Sequence, residues 1–148
     1  MSNFVAKNVQ EPEYPPTEIA IVGFGYWGRI IANNLDSARC VNIKYIVDNF
    51  EPNRDAANAS YPNVAAVEQL AQALQDDELD LVVIATPTDS HFNIAVETLA
   101  AGKHVFVEKP FVRRLDEAFE LKLLAKKVDR HIFVDHTFVF TNEVQEVK

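Results

Sequence analysis

Three glycines and an aspartate stand at spacings suited to holding a diphosphate. The segment Gly23-Phe24-Gly25-Tyr26-Trp27-Gly28 fits G-x-G-x-x-G, a pattern that alone marks little more than a turn. Its setting gives it meaning, because an apolar run precedes it, a helical pattern follows it, and Asp48 ends the next apolar run about twenty residues beyond Gly28. In that arrangement Gly23 makes the tight turn, Gly25 lets the backbone approach a pyrophosphate, and Gly28 lets the helix pack close to the strand. Phe24, Tyr26 and Trp27 belong to the same cofactor-binding loop. The helix start then offers backbone N–H groups and the positive end of its dipole to the phosphates. Asp48 would accept hydrogen bonds from the adenosine ribose, and its charge would repel a 2′-phosphate, which favours NAD over NADP. Arg54 is near enough in sequence to oppose that preference. The bland alternative is a glycine-rich turn beside a solvated Asp48.

The elements that must position these residues read as α/β. Apolar runs at Ile19–Gly23, Val41–Val47, Leu81–Ala85, Val105–Val107 and Ile132–Val134 alternate with amphipathic stretches, the signature of a parallel sheet flanked by helices. Helices are expected over Tyr26–Leu35, Pro52–Ala59, Glu68–Leu74, Ser90–Ala101 and Leu115–Val128, and a brief edge strand over Val64–Ala66. Leu81–Ala85 has no polar face and so belongs mid-sheet, and Gly102 stands where a left-handed residue would end a helix. Residues Met1–Thr17, ending Tyr14-Pro15-Pro16, have no hydrophobic period and read as a mobile or extended leader. Domain boundaries follow: a leader over 1–17 and a doubly wound domain over 18–136, with 137–148 a remainder that is apolar in patches.

Composition narrows the partners. With 148 residues, 48% of them hydrophobic, the chain can bury one core. A net charge of -8 argues against nucleic acid, whose phosphates need a basic face. Cys40 is the single cysteine, expected as a small packing residue, and its isolation together with the lack of a signal-like start points to a cytoplasmic setting. No run approaches the ~18 apolar residues of a membrane span. No metal site is expected. The partners expected are therefore a small molecule and a second copy of the chain, not nucleic acid or membrane.

Three later segments, joined to the glycine turn, carry a resemblance. They are Ala85-Thr86-Pro87-Thr88-Asp89-Ser90-His91, Gly102-Lys103-His104-Val105-Phe106-Val107-Glu108-Lys109-Pro110 and Val134-Asp135-His136-Thr137-Phe138. With them the chain from about Glu18 onward resembles the NAD-binding domain of the glucose–fructose oxidoreductase, inositol dehydrogenase and rhizopine-catabolism (Gfo/Idh/MocA) family. Tyr26-Trp27-Gly28 and His136-Thr137-Phe138 look most like the branch that oxidises sugar nucleotides and related sugars. The resemblance implies a Rossmann-type sheet and an NAD-dependent dehydrogenase acting on a sugar, sugar nucleotide or inositol-like alcohol. It places Thr86, Pro87 and His91 in the loop beneath the nicotinamide ribose and ring, and Glu108 and Lys109 beside the ring. It makes Lys109 the catalytic residue for substrate positioning and proton transfer, and it implies a cis bond before Pro110.

The position of Lys109 is plausible on physical grounds too. Strand carboxyl ends line the ligand crevice of an open α/β sheet, and partial desolvation there suits a lysine to acid–base work, with Glu108 opposing. His91 is equally well read as a capping or packing residue, and His136 as facing the cofactor or as a structural donor. Arg113 and Arg114 depart from the family pattern, since cations oppose the dipole at a helix start unless an anion meets them. The resemblance further implies a second, C-terminal α+β domain, begun by 137–148 and otherwise absent here, so that this piece alone would be inactive and Phe138, Phe140, Val144 and Val147 would lie uncovered and recruit a second copy. Two other functions stay open: a non-catalytic NAD-sensing or interaction module, and a dehydrogenase of amino-acid biosynthesis on the same sheet.

Overall fold

The structure, a computed structural model, describes residues 15–137 and residue 146. Its strands are β1 (Thr17–Val22), β2 (Val41–Val47), β3 (Ala65–Val67), β4 (Leu81–Ile84), β5 (His104–Val107) and β6 (Ile132–Val134). They form one six-stranded sheet in the order β3-β2-β1-β4-β5-β6, and every pairing is parallel. The chain runs outward from β1 in one direction and then returns to begin the other half at β4. That reversal opens a crevice at the carboxyl ends of β1 and β4, where ligands bind in sheets of this kind.

Among the described residues five α-helices cover the sheet: α1 (Tyr26–Asp36), α2 (Glu51–Ser60), α3 (Leu70–Leu74), α4 (His91–Ala100) and α5 (Leu115–Val128). Strand alternation decides which residues meet them. Ile19, Ile21 and Val83 turn to one face with Ala32 of α1 and Ala57 of α2. Ala20, Val22, Val82, Ile84, Val105 and Val107 turn to the other with Ala73, Leu99, Leu121 and Ala125. Because both faces are packed, the central strands are apolar at almost every position, and β4 lies mid-sheet as its sequence requires.

Most expected elements appear, with shifts at their ends. α3 starts at Leu70 because Gln69 caps it, its amide hydrogen donating to the Gln72 side chain at 3.0 Å. The stretch expected as one helix from Ser90 begins with a 3-10 turn at Thr88–Ser90, held by Ser90 Oγ, which lies 2.7 Å from the Thr86 hydroxyl and 2.8 Å from the Pro87 carbonyl oxygen. Gly102 has φ of 73°, the left-handed stop that its position required. Thr17, expected in the leader, already pairs with Val41. Cys40 corrects an expectation: it is exposed rather than packed, because β2 begins one residue later. The leader before residue 15 and Phe138, Phe140, Val144 and Val147 lie outside the described residues.

Candidate functional site

The carboxyl ends of β1, β2 and β4 surround a cleft of about 600 Å³ lined by Gly23, Gly25, Asp48, Asn53, Thr86 and Pro87, among others. A depression of similar size, about 590 Å³, lies against α5 and β6, lined by apolar side chains and by Lys, Arg, His and Asp, and it includes no residue of the glycine turn. The chemistry therefore favours the first.

Each glycine of the turn answers to a different constraint. Gly23 has φ of 91°, and a Cβ there would lie 2.9 Å from the Ala85 carbonyl oxygen and the Thr86 methyl. At Gly28 a Cβ would fall 1.8 Å from the Gly23 carbonyl oxygen, so α1 reaches its position only without a side chain there. Gly25 differs, since a Cβ there would meet nothing within 4 Å. Open space above Gly25 is what an approaching diphosphate needs. Gly25 is also the N-cap of α1, yet no side chain caps the helix and its first turn carries no acidic residue. The leading amides of an 11-residue helix are thus left free for an anion. The residues present fit a dinucleotide.

Asp48 sits directly after β2 and organises this end of the cleft. One carboxylate oxygen accepts hydrogen bonds from the Phe24 amide (2.7 Å) and from Asn53 (3.0 Å), and the other accepts from the Phe50 amide (2.8 Å). Arg54 donates to the main-chain carbonyl of Asp48 at 2.9 Å, not to its carboxylate. Arg29 approaches from α1, donating to Asn53 (3.1 Å) and to the Phe24 carbonyl (3.1 Å). Sequence reasoning missed Asn53 and Arg29. The available signal was Asn53 one turn into a helix that starts beside Asp48. Phe24 is 2% exposed and packs edge-on against Tyr61, so its contribution to the cleft is its backbone.

Across the crevice, two loops after β4 and β5 are tied together. His91 is 1% exposed. Its Nδ1 faces the carbonyls of Pro110 (3.1 Å) and Phe111 (3.2 Å), and its Nε2 faces that of Thr86 (2.9 Å). The ring therefore joins the Thr86-Pro87 loop to the Lys109-Pro110 loop, whose peptide bond is cis as the resemblance implied. Arg113 adds a second tie through Asp89 at 2.7 Å. Arg114 turns its guanidinium to Asp116, and its amide donates to Glu117 at 3.2 Å, an acidic first turn that accounts for cations at this helix start.

Glu108 is buried and accepts a hydrogen bond from the Lys109 amide at 3.1 Å. Burial raises its carboxyl above the ordinary value of 4.5, and the neighbouring Asp135 adds to the rise while Lys109 opposes it. Lys109 itself is exposed, so the partial desolvation expected of it is not present within this chain. Its ammonium lies over the ring of Trp27, 5.7 Å from the centroid. His136 is exposed and its amide donates to the Val134 carbonyl at 2.9 Å. Among the described residues no cluster of metal-type ligands occurs and no helix is long and apolar enough to cross a membrane.

Residues 17–136 match the family model for the oxidoreductase family with an NAD-binding Rossmann fold, Gfo/Idh/MocA. The chain belongs to that family. It is 33% identical over 118 residues to the uncharacterized oxidoreductase YdgJ of Escherichia coli, an alignment covering 80% of this chain and 34% of that protein. GenD2 from gentamicin A biosynthesis, solved in complex with NAD, superposes with a TM-score of 0.85 at 28% identity, over 95% of this chain and 39% of that one. Biliverdin reductase from Synechocystis, in complex with biliverdin and NADP+, superposes with a TM-score of 0.82 at 28% identity, over 89% of this chain and 42% of that one. The chain thus spans little more than a third of the length of such relatives. It is an NAD(P)-binding Gfo/Idh/MocA oxidoreductase domain, and its neighbours differ in which dinucleotide they hold.

Proposed function

We propose that this domain serves an oxidoreductase that moves hydride between a sugar-like alcohol and nicotinamide, with NAD preferred over NADP. The observation that carries the reading is the open approach to Gly25 at an uncapped helix start, with the Asp48 carboxylate beside it. The free amides of α1 would hold the diphosphate, and Asp48 would take the adenosine ribose, trading its present bonds to Phe24 and Asn53 for hydroxyl donors. A 2′-phosphate would meet a carboxylate, and the neighbouring guanidiniums are engaged, Arg54 with the Asp48 carbonyl and Arg29 with Asn53 and the Phe24 carbonyl. Thr86 and Pro87 line the other half of the crevice, and His91 ties their loop to the one that carries Glu108 and Lys109.

When bound, nicotinamide supplies the hydride chemistry. The chain's own part is position and proton management. Lys109, in the loop after β5 and over the Trp27 ring at the start of α1, with its ammonium clear of any carboxylate bond among the described residues, can hold or move the proton of a substrate hydroxyl. Glu108, beneath it, is turned into the protein and fixes the loop through the Lys109 amide. Support for an alcohol of the sugar class comes from the Tyr26-Trp27-Gly28 ending of the turn and from His136-Thr137-Phe138, which resemble the sugar-oxidising branch of the family. A second copy of the chain and a small-molecule substrate are the partners proposed.

Titration calorimetry tests the reading. NAD should give saturable heat, and NADP should bind at least about tenfold more weakly, a difference of about 1.4 kcal/mol. Absence of saturable heat with NAD, NADH and NADP alike would sink it. The alcohol is then sought by following nicotinamide reduction with a panel of sugars, polyols and sugar nucleotides, using the chain and any longer product of its gene. Tight NAD binding with no turnover in any form would instead favour the sensing module.

A further inference from the structure

Trp27 and Lys109 come from opposite sides of the crevice. Trp27 is the second residue of α1, on the β1 side, whereas Lys109 follows β5, with β4 between them. The ammonium nevertheless lies 5.7 Å from the Trp27 ring centroid. Within the described residues Lys109 Nζ forms no ion pair and no hydrogen bond. Glu108, next in sequence, is buried with its oxygen on the Lys109 amide, and Asp135, beside Glu108, accepts hydrogen bonds from Thr137. The aromatic face is the contact that remains.

The indole is itself placed with some care. Tyr26 packs edge-on against it, ring centroids 5.3 Å apart at 82°, an arrangement that fixes a ring's tilt. Both rings are exposed, Tyr26 at 74% and Trp27 at 50%. They occupy the first two positions of a helix, where acidic or small polar residues would be the stabilising choice. Exposed aromatics at that point contribute little to the core.

We infer that Trp27 is a positioning residue that docks the Lys109 ammonium over the start of α1, linking the phosphate turn to the proton-handling side chain. The inference rests on the proposed role of Lys109. A carboxylate in the same place would pin the ammonium and occupy its N–H groups, whereas a π face attracts the charge and leaves those donors pointing to solvent or to a ligand oxygen. Trp27 also rides on the same helix start that receives the diphosphate, so seating a dinucleotide and placing Lys109 act on one rigid element.

Trp27 is the single tryptophan of the chain, which makes the contact directly observable. Acylation of Lys109 by acetic anhydride, followed residue by residue by mass spectrometry, requires the amine to leave the ring. Trp27→Leu should speed that labelling about two- to fivefold, the range an exposed cation–π contact supports, while Trp27→Phe should stay near the parent rate. Lys109→Met should change the tryptophan emission spectrum. Equal labelling in the parent and Trp27→Leu, with circular dichroism showing both folded, would overturn the inference, as would a Trp27→Phe rate matching that of Trp27→Leu. Calorimetry with NAD on the parent chain keeps the two readings apart: no NAD heat with the labelling contrast intact removes the proposed function and leaves the contact supported.

Discussion

Gly25 and Gly28 are three residues apart and should respond to the same substitution in opposite ways. Gly28→Ala would place a methyl 1.8 Å from the Gly23 carbonyl oxygen, so backbone must shift, at a cost of about 1–3 kcal/mol or more, seen as a fall in melting temperature. Gly25→Ala meets no neighbour, so the melting temperature should hold while affinity for NAD falls, because the methyl enters the space a diphosphate needs. A Gly25→Ala variant that binds NAD like the parent would show that the dinucleotide does not cross this turn. Asp48→Asn tests the ribose end, since neutralising the carboxylate should weaken NAD and narrow the NAD-to-NADP ratio by about tenfold in calorimetry. The glycines and Asp48 were legible in sequence because their chemistry is local and stereotyped. Phe24 was not: nothing in its position told that its ring enters the core and only its amide reaches Asp48.

The loops after β4 and β5 illustrate what elements add to residues. His91→Phe keeps an aromatic ring there but removes the nitrogens that face the Thr86, Pro110 and Phe111 carbonyls, an expected loss of about 1–3 kcal/mol. Because those loops flank only one half of the crevice, the variant should lose affinity for NAD while retaining that for ADP-ribose, which lacks the nicotinamide. Equal losses for the two ligands would reassign His91 to general stability. Glu108 adds a pH signature. Its carboxyl is raised by burial, so the folded state holds the proton more tightly than the unfolded chain. The resulting penalty is absent below the ordinary value of 4.5 and grows as pH climbs from there through the folded value. Glu108→Gln should therefore gain melting temperature relative to the parent over that rise and show no gain at more acidic pH. Periodicity made α5 and β2 legible to their ends, because Leu115–Val128 and Val41–Val47 are long and regular. The start of α4 was hidden, since the 3-10 turn before it depends on Ser90 reaching back to Thr86, a contact that no hydrophobic pattern encodes.

Away from the crevice, Lys44 joins β2 to the segment before β4 through Asp76 (2.6 Å) and Glu78 (2.9 Å), and Tyr45 donates to Asp76 at 3.1 Å. Lys44 holds the Asp76 carboxyl below its ordinary value, so its stabilisation is present above 3.8 and lost as pH falls through the lower, folded value. Asp76→Asn should melt earlier than the parent at neutral pH, the gap closing on acidification. Its persistence in strong acid would remove the ion pair from the account. Strand order was less legible than strand identity, since the sequence shows buried runs but the reversal between β1 and β4 is a property of the assembled sheet. That reversal reaches back to synthesis. The first seventy or so residues hold the whole fingerprint, yet β1 is flanked on one side only until β4 arrives, and Gly23 packs against Ala85 and Thr86. A ribosome-bound chain halted before β4 emerges would display every glycine of the turn and retain no dinucleotide, so ligand capture should switch on abruptly with the emergence of that one strand.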